Sequence, residues 1–387
     1  MIRIRWMLIG LFLAGGCIDP YTPKISETAD ILIINGRITD QEGFHFVEVS
    51  RTSTVYSYKG SSPVTDCKVE IEDERGISYA FREIEEGIYR GWMEHTDLIY
   101  GNSYKLSVTT PEGMNYESGF EELLPCPPIE EIFWDIGGTQ TSNTDVSYPD
   151  VQFYITTNAS GDYAKNYLWE FEETWRYLAP YPRLYAWDTN GFYTISQEPS
   201  DFLRTCYRTL RIPEFYTYST RNISGDYILR IPINKVTNQT DRLSSRYSLL
   251  ARQYSLTDRA YDFWKALEVQ AKQTGELYET QPVIVKGNIV SKENPEETVL
   301  GLFYAASVTE NRIFIEPDLV TKPYCIRYGF VNTESLEAFL EDEYPNGPPR
   351  PIYLYGTDSN YLDLASQSCF DCRLKGGSLI PPWFWED

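Results

Sequence analysis

Histidine is almost absent from this chain of 387 residues: His45 and His95 are the only two. That leaves little from which to build a histidine-based catalytic triad or a histidine-rich metal site. HExxH, GxSxG, the phosphate-binding P-loop and a GxGxxG turn after a strand are also missing. No catalytic residue, metal or cofactor is expected, and the chain is not read as an enzyme. Basic residues are scarce beside acids, with 34 Lys and Arg against 56 Asp and Glu and a net charge of −22. Such a surface disfavours nucleic acid and anionic lipid as partners. No run reaches the roughly 18 apolar residues of a membrane-spanning helix.

The N-terminus carries the first positive signal. Arg3 and Arg5 precede an apolar run from Trp6 to Ala14, followed by "GGCIDPYTP". A helix of that length reaches roughly 14 Å, too short for a bilayer core of about 30 Å, so residues 1–16 read as a signal peptide. Small residues Ala14, Gly15 and Gly16 directly before Cys17 form a lipobox, although Ala14 stands where leucine is commoner. Cys17 is the expected lipidation site, and its acyl chains would be the only membrane attachment. A polar tether, 17–28, follows. The expected location is the outer membrane. The cell surface is favoured over the periplasmic face, with Asp19 the one acid close behind Cys17.

From Ala29 the pattern is that of strands. "ILIINGRIT", "HFVEVSRTST", "CKVEIED" and "YKLSVTT" alternate apolar and polar residues, with Gly- and Asp-rich turns between them. This spacing predicts an immunoglobulin-like, carboxypeptidase-regulatory-like β-sandwich over 29–125. "LPCPPIEE" marks a boundary. A larger β-rich α+β domain is expected over 129–387, with one long helix near 258–274. Thr257 would cap that helix, Ala260, Phe263, Trp264, Leu267 and Ala271 would share one face, and Gly275 would close it. "DTNG" (188–191) lacks the later spacing of a calcium loop and reads as a tight hairpin turn.

Besides Cys17 there are six cysteines: Cys67, Cys126, Cys206, Cys325, Cys369 and Cys372. An even number in an exported chain favours disulfides. Cys67 and Cys126 both fall in the first part, so they are expected to pair with each other. Cys369 and Cys372 could form half a zinc knuckle or a redox pair, but no second CxxC is present. Closing so short a loop gains little, so each is expected to reach back to Cys206 or Cys325. The tail "GGSLIPPWFWED" would then staple the chain end to the second domain. The densest unusual stretch, 175–193, holds Trp175, Tyr177, Tyr181, Arg183, Tyr185 and Trp187 on a proline-stiffened run. Such residues suit a partner interface and equally suit the cap of a β-core.

Five segments carry a family resemblance: "ILIINGRITD" (31–40), "VEVSRTSTVYSY" (47–58), "LWEFEETW" (168–175), the block from Gln253 to Phe303, and "CFDCRLKGGSLIPPWFW" (369–385). Together they resemble the exported Bacteroidota lipoproteins called domain of unknown function 4249. Cys67 and Cys126 are departures, standing where such proteins are expected to lack cysteine. The resemblance implies an outer-membrane lipoprotein, often encoded beside a TonB-dependent receptor, and implies no catalytic residues. The expected function is that of a lipid-anchored accessory protein, binding nutrient or peptide alongside such a transporter. A structural or envelope-assembly role without a ligand is the alternative, and an unrecognised hydrolase is the third reading.

Overall fold

A computed structural model describes residues 30–52, 61–140, 147–195, 202–222, 227–273, 284–317, 319, 325–356 and 362–386. The signal peptide, Cys17 and the tether lie outside these, as does Gly275. The described chain is mainly β, arranged in four sheets with helices α1 (Asp258–Gln273) and α2 (Thr333–Glu343). Among the described residues, no helix is long and apolar enough to cross a membrane.

Alternation builds the first sheet. In Leu32–Thr39 the even positions Leu32, Ile34, Gly36 and Ile38 are buried, and the odd ones face outward. Val69 and Ile71 of Lys68–Asp73, and Tyr104, Leu106 and Val108 of Ser103–Thr109, bury in the same core. This sheet has eleven strands, and its two ends come from much later in the chain. Ile289–Ser291 pairs antiparallel with Asn115–Ser118, and Phe303–Ala306 pairs parallel with Leu32–Thr39. The approach to the parallel pair requires Gly301, where φ is +95° and an added Cβ would sit 2.1 Å from the Ile34 carbonyl oxygen. The first core therefore contains Ile289, Val299, Phe303 and Ala305 beside the residues of 29–125.

Two further sheets pack face to face. One holds Ile129–Gln140, Ser147–Asn158 and Tyr227–Thr237; the other holds Thr205–Ser219, Asn166–Leu178, Tyr247–Leu256 and Val308–Ile315. Val151, Phe153 and Ile155 meet Tyr167, Trp169, Phe171 and Tyr247 between them. The proline-rich boundary is clamped rather than loose. Its Pro127 carbonyl accepts from Gln253 Nε2 at 2.7 Å and Thr309 Oγ1 at 2.9 Å, and its Leu124 carbonyl accepts from Ser255 Oγ at 2.6 Å. Gln253 is fully buried, and its Oε1 also accepts from Trp169 Nε1 and Thr157 Oγ1.

Helix α1 starts as its sequence predicts, with Thr257 Oγ1 accepting from the Ala260 amide at 3.3 Å. Ala260 is buried, whereas Ala271, at the far end of the expected face, is exposed. The fourth sheet is small: Gly191–Thr194, Tyr185–Asp188, Ile352–Gly356, Leu362–Ala365 and Arg327–Gly329, covered by Leu336 and Leu340 of α2. "DTNG" is its tight hairpin turn, with Asp188 Oδ1 accepting from the Asn190 amide at 2.7 Å.

The cysteines divide cleanly. Cys206 bonds to Cys372 and Cys325 to Cys369, so both members of the C-terminal CxxC reach back as the loop argument requires. The expected Cys67–Cys126 bridge does not form, and both thiols are free and buried. They belong to different cores: Cys67 packs beside Val69 and Ile71 in the first, and Cys126 beside Ile129 and Ile155 in the second. Nearness in sequence misled here, because the chain crosses from one core to the other just before Cys126. Burial pushes the Cys126 thiol up to about 12 and raises Cys67 as well. In chain lacking residues 1–17, a maleimide at pH 7 is therefore expected to label neither thiol in the native state and two per molecule after denaturation. Rapid labelling of native protein at both positions would contradict this burial.

Candidate functional site

The aromatic run singled out by sequence turns inward. Trp175, Tyr177, Arg183 and Trp187 are buried, and Tyr181 and Tyr185 half-buried. Tyr177 Oη donates to the Ser368 carbonyl at 3.1 Å, and Tyr181 Oη to the Cys325 carbonyl at 3.0 Å. The Arg183 guanidinium lies 5.2 Å from the Tyr353 ring centre. Trp187 joins Leu336, Ile352 and Leu354 in a satellite core. Trp175 and Tyr177 belong to the second core and Tyr185 and Trp187 to the core of the small sheet, while Tyr177 and Tyr181 reach the disulfide-bonded segments.

A cleft of about 810 Å³ lies elsewhere, where the first sheet meets α1 and the four-stranded sheet. Sequence reasoning did not find it, because its lining comes from nine separate strands and helices. The outward positions of Leu32–Thr39 supply Asn35, Arg37 and Thr39, and those of Gly43–Thr52 supply Phe44, Phe46 and Glu48. Helix α1 faces them with Phe263, Trp264 and Leu267, part of the face its periodicity predicted. Tyr304 follows from the returning strand. Glu170, Arg211, Arg252, Tyr254 and Glu310 come from the four-stranded sheet.

Arg37 is central to the cleft's polar wall. Its Nη1 donates to Glu170 Oε1 at 3.2 Å and to Tyr304 Oη at 3.3 Å, while its carbon Cζ lies 4.2 Å from the centre of the Tyr254 ring. Arg211 approaches the same Glu170 oxygen at 2.7 Å. Burial works against the Arg37 charge, but Tyr304, Tyr254 and Glu170 outweigh it and hold the guanidinium protonated. Burial raises both tyrosines, Tyr254 to about 12, so their hydroxyls stay neutral. Arg252 pairs with Glu310 at 2.7 Å. The three arginines and three glutamates of the lining balance in a chain of net charge −22.

His45 completes this wall. It is 5% exposed, and its Nδ1 accepts from the Thr39 amide at 3.3 Å. Burial, with Arg37 adding to it and the Gln41 carbonyl opposing, lowers its pKa to about 4. At neutral pH the ring is uncharged, and its Nε2 is sealed from solvent. The Trp264 Nε1–H is likewise sealed from solvent, with no hydrogen-bond partner among the described residues. The rings and hydrogen-bonding side chains of the lining suit it to holding a ligand.

The His45 environment makes stability depend on pH. The unfolded chain takes up a proton near the ordinary value of about 6.5, and the folded chain only near 4. Its contribution is therefore complete above about 6.5 and is lost as pH falls towards 4, amounting to about 3 kcal/mol at most. In urea titrations His45→Gln should flatten the loss of stability across that window. An acid-limb slope unchanged from the parent would contradict this account.

No curated protein is similar enough to this chain to count as a match. A family model, described as a domain of unknown function (DUF4249), matches residues 18–312. The match takes in the first sheet with its returning strands and nearly all of the cleft-bearing sheet, and it ends before the disulfide-bonded CxxC segment. Over three-quarters of its length, then, this chain belongs to the DUF4249 family.

Proposed function

We propose that this protein is a lipid-anchored outer-membrane binding protein that captures a solute in the cleft and works beside a TonB-dependent transporter. The observation that carries the binding role is the cleft itself: aromatic walls and paired charges around Arg37, whose Nε and Nη2 make no hydrogen bond among the described residues. The lipobox at Cys17 supports the anchor, and the family's resemblance to exported lipoproteins supports the transporter. The first sheet fits an immunoglobulin-like sandwich extended by the returning strands, a reading supported by its antiparallel Lys68–Asp73, Ser78–Glu85 and Ser103–Thr109 ladder. Absence of enzymatic activity is part of the same proposal.

The test is purification of the native protein under mild detergent, in parallel with a Cys17→Ala variant. The parent is expected to take up a fatty-acid label and to bring a β-barrel receptor with it, and the variant to take up no label. A labelled variant would refute the anchor. A labelled parent that repeatedly purifies without a barrel would favour the envelope-structural role instead.

A further inference from the structure

We propose that the cleft recognises the terminal carboxylate of a short apolar peptide, an inference that rests on the cleft being the ligand site. The argument comes from which groups are left unspent. Arg37 uses only Nη1 within the fold, on Glu170 and Tyr304. Its Nε and Nη2 make no hydrogen bond among the described residues, and its Cζ lies 4.2 Å from the centre of the Tyr254 ring. An unpartnered donor is costly to bury, so what completes these groups must supply acceptors. A carboxylate meets this need with two oxygens and about four lone-pair sites.

Charge points the same way at short range. Arg37 and Arg211 converge on the single carboxylate of Glu170, leaving a net positive charge there. Screening over a Debye length of about 8 Å limits the opposing field of distant acids. The apolar part of the occupant is set by the rings beside Arg37: Phe46 is its partner in register on the neighbouring strand, Phe44 lies two residues away on the same face, and each is half exposed. Rings left open beside a carboxylate-binding edge suit an apolar side chain next to a free C-terminus.

Calorimetry on the full mature chain with N-acetyl-Leu-Phe and its C-terminal amide tests the assignment. The acid is expected to bind at least tenfold more tightly than the amide. Arg37→Gln should bring the two affinities together. Phe46→Ala, which removes a half-exposed ring beside Arg37, should weaken both while leaving the preference for the acid. Thermal melts establish that each variant is folded, and the acid-to-amide ratio of the parent needs no variant at all. Equal binding of acid and amide by the parent, or no binding of either, overturns the carboxylate assignment. The proposed accessory role is judged separately, by whether the barrel co-purifies.

Discussion

A chain in which Cys206 and Cys372 are both serine is expected to lose roughly 3 kcal/mol of stability and to melt about 4 °C lower. The bond spans 166 residues, a loop for which chain entropy gives a ceiling of about 5 kcal/mol, and measured values are usually smaller. Its loss also loosens the neighbouring contacts. Tyr207 and Ser378 exchange backbone hydrogen bonds of 2.8 Å, and Trp385 packs edge-on against both Tyr207 and Phe314. The same strand end thus holds the cystine and the aromatic tail. Differential scanning calorimetry with and without reductant checks the result. A double-serine variant that melts with the oxidised parent would show that the tail is held by its aromatics alone. The Trp383 ring, 95% exposed, contributes nothing to that packing, so Trp383→Ala should leave the melting temperature unchanged.

Gln253→Leu is expected to be at least as damaging, at about 3–5 kcal/mol. Leucine would strand the Trp169 indole N–H, the Thr157 hydroxyl and part of the Pro127 carbonyl's bonding in a fully buried region. Each buried group left without a partner costs about 1–3 kcal/mol, and Thr309 still serves Pro127. Trp169→Phe removes one donor without removing the hub, and should cost less. Urea midpoints for the two variants decide the matter. A Gln253→Leu protein within 1 kcal/mol of the parent on the measured scale, about fivefold in its folding equilibrium, would mean that the network is not needed to hold the boundary.

Much of this was legible from residues close together in sequence. Alternation located the strands, Thr257 and the spacing after it located α1, and loop entropy sent Cys369 and Cys372 to distant partners. What escaped depends on contacts across the chain. "FYAA" (303–306) gives no local sign that it will lie parallel to Leu32–Thr39, because a parallel pairing has no turn to announce it. Helix α2 was missed although Asn332 and Ser335 form a reciprocal capping box, since serine rather than glutamate occupies the third position and the apolar face is short. The aromatic run was conspicuous but turns inward, whereas the cleft draws single residues from many strands. The Gln253 hub has a similar cause: a buried glutamine looks in sequence like an ordinary surface residue.

The return of residues 289–306 to the first sheet imposes an order of assembly. A chain emerging N-terminus first presents Leu32–Thr39 with one bare side until nearly all of the cleft-bearing sheet has been made. Such an open strand can recruit another nascent chain as easily as its own distant segment. The N-terminal third is thus the first part synthesised and among the last completed, and its closure rate is tied to a contact of very long sequence separation. A fragment ending at the proline-rich boundary would lack both outer strands of its sheet. Grafting the N-terminal region onto another protein would transfer the opening without the segment that closes it.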